Sequence, residues 1–120
     1  MTNSKVAAIG AVSSFIEKAL EPNKAQGGTV MIEYEDGWVV GAPLFHVHQA
    51  ISILRDMNRQ RKRAALRNAM KSIDRLLPLA KEHKASHQEA MFLAQDITIW
   101  FANEVVEGRK KVEDLQELKP

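Results

Sequence analysis

The stretch from His87 to Val106 constrains the fold of this chain most strongly, because start and stop signals bracket it. Ser86 and Glu89 have the spacing of a capping box, in which each side chain accepts a hydrogen bond from the other residue's free backbone N–H. Gly108 follows the last apolar residue, where a left-handed C′ position favours glycine. The sequence therefore predicts one helix of about 20 residues, roughly 30 Å long.

The apolar residues of this predicted helix fall on two sides. One set follows the spacing of a core stripe and comprises Ala90, Leu93, Ala94, Ile97, Trp100, Phe101 and Val105. A second line recurs every seven residues on roughly the opposite side: Phe92, Ile99 and Val106. Either the helix is central in its own domain, or the second line contacts a partner. Each exposed side chain would forgo about 1.5–3 kcal/mol of burial, which makes this line a candidate partner interface.

Composition is that of an ordinary globular chain. The 120 residues are 45% hydrophobic and 27% charged, which predicts a single domain over 1–120. There are no cysteines, so disulfides, thiolate zinc sites and cysteine nucleophiles are excluded. The N-terminus lacks the pattern of a signal peptide, and no long uncharged apolar run is present. We therefore expect a cytoplasmic protein without membrane contact.

The net charge of +2 conceals an uneven distribution. Residues 55–84 carry ten basic and three acidic residues, whereas the segments before and after them are net acidic. A ridge at i+4 spacing runs through the basic third: Arg59, Arg63, Arg67, Lys71 and Arg75. Residues at this spacing are neighbours on a helix surface, and like charges there repel one another. The ridge is a candidate contact for nucleic acid or an acidic partner; alternatively it is simply solvated, or the basic face pairs with acidic residues 104–117 of the same chain.

The residue pattern before the basic segment 55–84 predicts one helix and one hairpin. Apolar residues recur at helical spacing over residues 5–20, and residues 21–28 have the composition of a loop. Over residues 29–42 the period changes to two: Val30, Ile32 and Tyr34 occupy alternate positions, and Trp38 and Val40 resume the alternation after Asp36-Gly37. That dipeptide is a strong hairpin signal, because a type I′ turn needs positive φ at both central residues. Packing of the hairpin on the chain's own helices is favoured over strand addition to a partner.

The remaining helices are predicted over residues 44–57 and 64–82, with a short tail helix over 109–118. Residues 58–63 contain no apolar side chain, so they form either a turn or a helix that projects into solvent. Whether 44–82 is one helix or two stays open. The predicted fold is mainly α (α+β): a three- to four-helix bundle with one β-hairpin inserted after the first helix.

No catalytic or cofactor-binding motif stands out. The sequence lacks a phosphate-binding glycine loop, a GxSxG elbow and an HExxH pair. His46 and His48 diverge if they lie on a helix, and the capping box at Ser86 separates His83 from His87. We therefore predict no catalytic residues, no metal site, no cofactor and no enzyme activity, and nothing indicates a small-molecule substrate.

Two functional hypotheses remain. The first is a non-enzymatic interaction protein that forms homo-oligomers or binds and modulates a larger protein, for example as a phage- or mobile-element-type inhibitor. Its candidate interface is Phe92, Ile99 and Val106. The alternative is an accessory protein that binds nucleic acid through the basic helix 55–75. No aromatic residues interleave with the basic ones, so base stacking is not indicated.

Overall fold

The computed structural model describes residues 28–117 of the chain. This part is mainly helical and carries a small three-stranded antiparallel sheet. The helix predicted over residues 5–20 lies outside the described residues. The described part contains three α-helices, and whether the bundle has a fourth depends on residues that it does not include. Within residues 28–117, no helix combines the length and the apolar character needed to cross a membrane.

The predicted hairpin forms from strands β1 (Thr29–Glu33) and β2 (Val39–Pro43). They pair antiparallel, with Thr29 opposite Pro43 and Glu33 opposite Val39. At the turn, φ is 63° for Asp36 and 76° for Gly37, as the Asp-Gly signal predicted. The N–H of Trp38 closes the turn by donating to the carbonyl of Glu35, at 3.3 Å.

A third strand replaces the predicted tail helix. Residues Val112–Asp114 form one 3-10 turn, and β3 (Gln116–Glu117) then pairs antiparallel with β1, giving the strand order β2-β1-β3. The prediction of a helix over 109–118 is therefore wrong. An isolated helix this short is marginal in water, whereas the free edge of β1 offers the tail backbone hydrogen bonds.

Residues 44–82 form two helices, α1 (Leu44–Asp56) and α2 (Arg59–Lys81). Asn58 separates them: its side-chain oxygen accepts a hydrogen bond from the N–H of Arg61 at 2.9 Å, so it caps the second helix. Helix α2 thus begins before the predicted start at residue 64. Residues 59–63, which contain no apolar side chain, form the first turn of α2. The Asn58 cap and contact with water stabilise this turn without a buried apolar residue.

Helix α3 (His87–Val106) lies at the centre of the described structure. It contacts α1, α2, β1 and β2, and these contacts account for its wide apolar pattern. Ile97 on this helix and Ile32 on the sheet are both fully buried in the same core. The interpretation of a central core helix therefore explains most of the pattern that the sequence left open.

An aromatic cluster ties the hairpin to two helices. The rings of Tyr34 and Trp100 meet edge to face, with centroids 4.8 Å apart, and the Tyr34 hydroxyl donates to the sulfur of Met70 at 3.7 Å. Burial raises the pKa of Tyr34, with smaller contributions from the charges of Glu35 and Asp74. The end of the hairpin is therefore fixed to both α2 and α3.

The start of α3 depends on the predicted capping box. The Ser86 N–H donates to Glu89 at 2.9 Å, and the Glu89 N–H donates to the Ser86 hydroxyl at 3.1 Å. We expect Ser86→Ala to lower the free energy of unfolding by about 1 kcal/mol, because one helix N–H loses its partner. Urea denaturation measures the loss. Ser52→Ala, at an exposed position on α1, is the control; an equal loss in both variants would contradict the role of the cap.

Candidate functional site on the second helix

Helix α2 presents an exposed basic surface without acidic residues over its first half. Between Asp56 and Asp74 the chain has six basic side chains and no acidic one: Arg59, Arg61, Lys62, Arg63, Arg67 and Lys71. The opposite side of α2 packs on α3 through Ala69, Ile73 and Leu76, which are buried. The charged face is therefore held toward solvent by the burial of the apolar one.

All five residues of the predicted basic ridge are exposed: Arg59, Arg63, Arg67, Lys71 and Arg75. They lie on one uninterrupted helix, so their i+4 spacing is a true row of neighbours. Such a row is inclined to the helix axis, and this one extends over about 24 Å at roughly 1.5 Å per residue. The row thus crosses the solvent face of α2 diagonally.

The ridge carries little local charge compensation. Of the ion pairs formed between residues 28 and 117, none uses a ridge residue. The ridge residues that contribute to the shifted pKa values of described acidic groups are those at its two ends, Arg59 and Arg75. Hydrogen bonds of the helix cap lower the pKa of Glu89, and the charge of Arg75 adds to this effect. Contact with Lys62 lowers the pKa of Glu107, with a smaller contribution from Arg59. The middle of the ridge is therefore the least balanced part.

A groove of ≈ 430 Å³ opens between the start of α2 and the end of α3. Its lining residues are Arg59, Lys62, Arg63, Leu66, Asn103, Glu107 and Arg109. Lys62 pairs with Glu107 at 3.0 Å, and this contact lowers the pKa of Glu107. Arg109 donates two hydrogen bonds to one oxygen of Glu104, at 3.0 and 2.7 Å.

Of the seven residues that line this groove, the sequence predicted Arg59 and Arg63 as site residues and missed the other five: Lys62, Leu66, Asn103, Glu107 and Arg109. They come from segments that are far apart in the chain and meet only because α2 packs on α3. Neither the i+4 ridge nor a known motif contains them, so the sequence carried no signal for their association.

The second apolar line of α3 is divided by the packing. Ile99 and Val106 are partly buried and pack against the core, whereas Phe92 keeps 40% of its surface exposed. The role of these three residues as a partner interface stays a prediction. Phe92 and Ile53 of α1 are the large apolar side chains that the described residues leave exposed.

The histidines are dispersed. His46 and His48 lie on α1, and burial lowers the pKa of His46. His83 follows the end of α2 and His87 begins α3, so the helix is interrupted between them as the capping box predicted. Nowhere in residues 28–117 do three His, Asp or Glu side chains gather closely enough to hold a metal ion.

Comparison of the chain with protein-family models, with curated proteins and with solved structures finds no match.

Asp96 allows a test of the electrostatics between α2 and α3. Burial raises its pKa, against a hydrogen bond from Ser72 and the charge of Arg75. Ionisation of Asp96 therefore lowers the free energy of unfolding. This loss of stability is absent below the pKa of Asp in the unfolded chain, about 3.9, and complete above the raised pKa of Asp96 in the folded state. We expect Asp96→Asn to raise the urea midpoint at pH 7 but not at pH 3.

The control for this prediction is Asp56→Asn, which removes a carboxylate from an exposed position at the end of α1. A midpoint for Asp96→Asn that falls at pH 7, or that rises equally at both pH values, would contradict the burial penalty.

Proposed function

We propose that this chain binds the phosphate backbone of nucleic acid through the ridge on α2, without reading base sequence. The observation that carries the proposal is the exposed row Arg59, Arg63, Arg67, Lys71 and Arg75, which forms no ion pair within residues 28–117. Polyanions with regularly spaced charges suit such a row, because each phosphate that it neutralises releases condensed counterions.

The residue types on the ridge favour contact with the phosphate backbone of a nucleic acid over recognition of its bases. No aromatic residue occurs in α2, so the ridge offers no ring on which a base can stack. Arginine predominates in the row, and its planar fork donates two parallel hydrogen bonds to phosphate oxygens. Binding of this kind positions a protein on a nucleic acid and tolerates any sequence.

The packing of α3 reverses the order of the two functional hypotheses. A protein interface along Phe92, Ile99 and Val106 came first from the sequence, but two of these residues pack against the core. The basic ridge, in contrast, keeps all its members in solvent. Nucleic-acid contact therefore has the stronger support. Modulation of a larger protein complex rests on the second apolar line and on the hairpin edge, since residues 109–117 form no α-helix.

The triple variant Arg63→Glu, Arg67→Glu and Lys71→Glu tests the ridge. We expect it to abolish retention of double-stranded DNA of mixed sequence at low salt. For the unaltered chain, log K should fall linearly with log salt, with a slope of magnitude about 4.5 if all five residues contact phosphate. Fluorescence anisotropy at several salt concentrations gives both quantities, and circular dichroism confirms that the variant is folded.

A matched variant makes the same change of net charge away from the ridge: Lys81→Glu, Lys84→Glu and Lys111→Glu. It should retain most of the affinity for DNA. Equal losses in both triple variants would assign the binding to net charge alone. Absence of DNA binding by the unaltered chain at low salt would overturn the proposal and leave an acidic protein surface as the candidate partner of the ridge.

We propose self-association as a second function, on the single observation that Phe92 is 40% exposed on the central helix. A large apolar side chain in solvent favours contact with another apolar surface. If α3 meets a second copy there, light scattering behind size exclusion should give a dimer mass at both low and high salt.

Phe92→Ser should then return the mass to that of a monomer, while Ile53→Ser, at the other large exposed apolar position, should not. A monomer mass for the unaltered chain at both salt concentrations would refute self-association without affecting the proposal for the ridge.

A further inference from the structure

We propose that the groove between the start of α2 and the end of α3 is a binding pocket for a single phosphate group. The ridge is a surface row, whereas this groove is a concave site with a buried polar wall. The inference is independent of long-range nucleic-acid binding by the rest of the ridge, and it names a ligand class: a phosphomonoester, free or at the end of a nucleic-acid strand.

The buried wall of the groove is Asn103. Only 5% of this residue is exposed, and it lines the groove although it lies on the central helix. None of the residues from 28 to 117 forms a hydrogen bond with its side-chain amide. Asn103 is not among the side-chain polar atoms of the described residues that are both buried and unpartnered, so its amide is open to the groove and free to meet a ligand there. Its NH₂ group can donate to a phosphate oxygen.

The charges around the groove favour an anion. Four basic side chains and one carboxylate line it, which gives a formal charge of +3. Lys62 is engaged by the carboxylate Glu107, and Arg109 is held by Glu104. Arg59 and Arg63 form no ion pair within the described residues, so both guanidinium groups are available to a ligand.

Helix α2 adds a favourable dipole to this arrangement. Its first turn contains Arg59, and the N-termini of helices attract anions through free N–H groups. Asn58 accepts from the N–H of Arg61 but leaves the N–H groups of Arg59 and Gln60 without an intrahelical partner. Arg59 and Arg63 line both the groove and the adjoining hollow that Asn58 and Gln60 border, so the positive end of α2 lies next to the groove, while charge and the Asn103 amide are in the groove itself.

The size of the groove indicates more than an inorganic ion. A volume of ≈ 430 Å³ falls within the range of pockets for small organic ligands, about 300–1,000 Å³. Leu66 supplies an apolar wall beside the basic residues. Because Arg59 and Arg63 also begin the ridge, a strand that follows the ridge can place its terminal phosphate here; this detail alone rests on the proposed function.

Nuclear magnetic resonance gives a direct test, because the Asn103 side-chain NH₂ has its own ¹H–¹⁵N signals. We expect inorganic phosphate and pyrophosphate to shift these signals along a saturating curve, with a Kd of about 1 mM or lower. Asn103→Asp, which puts a second carboxylate into the groove, should weaken binding at least tenfold. Gln95→Glu makes the same change of charge at an exposed position on α3 and should leave the Kd unchanged.

Arg63→Gln provides a second variant at an exposed position, so the test survives if Asn103→Asp fails to fold. It should also weaken phosphate binding severalfold. Signals of Asn103 that stay unmoved, or that drift linearly together with those of surface residues, would overturn the proposed pocket. A Kd that Arg63→Gln leaves unchanged would overturn it as well.

Two oligonucleotides separate the sources of the phosphate group. A short single strand with a 5′-phosphate should shift Asn103 and bind at least tenfold more tightly than the same strand with a 5′-hydroxyl if the pocket receives strand ends. If both strands leave Asn103 unmoved while pyrophosphate saturates it, the ligand is a free phosphorylated small molecule. Arg67→Glu with Lys71→Glu should reduce ridge binding without changing the pyrophosphate Kd, so the two proposals fail separately.

Discussion

The burial of α3 on several sides is the constraint on which the described structure depends. Within residues 28–117 this helix contacts both other helices and two strands, so it joins them into one core. The capping box at Ser86 fixes one end, and Gly108, at a φ of 81°, terminates the other. Because α2 packs along α3, the first turns of α2 lie beside the last turn of α3. The pairing of Lys62 with Glu107 and the groove around it follow from that packing.

The parts of the fold that the sequence predicted are those with local chemical signals. The capping box needs two residues three apart, and the Asp-Gly turn needs two adjacent residues, so both are specified by their own segments. The third strand is different, because Gln116–Glu117 form a strand only through the edge of β1. The start of α2 was missed for a related reason: a cap at Asn58 stabilises helical turns that have no apolar periodicity.

The candidate site divides in the same way. The ridge could be predicted because i+4 spacing on one helix decides which side chains are neighbours. The groove could not, since Asn103 and Lys62 meet only through the packing of two helices. The second apolar line lies between these cases: its periodicity is real, but the width of the surrounding core left Phe92 exposed and Ile99 partly buried. Periodicity assigns a face to a helix, and only packing decides how much of that face meets solvent.

Distance explains why the acidic residues in the described part of the chain leave the ridge without an ion pair. Neighbours in an i+4 row are about 6 Å apart, which is shorter than the Debye length of about 8 Å at physiological ionic strength. Repulsion within the row therefore persists in salt, whereas exposed charges farther than a Debye length are largely screened. Glu104 and Glu107, at the end of α3, are already paired with Arg109 and Lys62. An anion that contacts the row directly would relieve this repulsion most fully, and this is the physical basis of the proposed contact with phosphates.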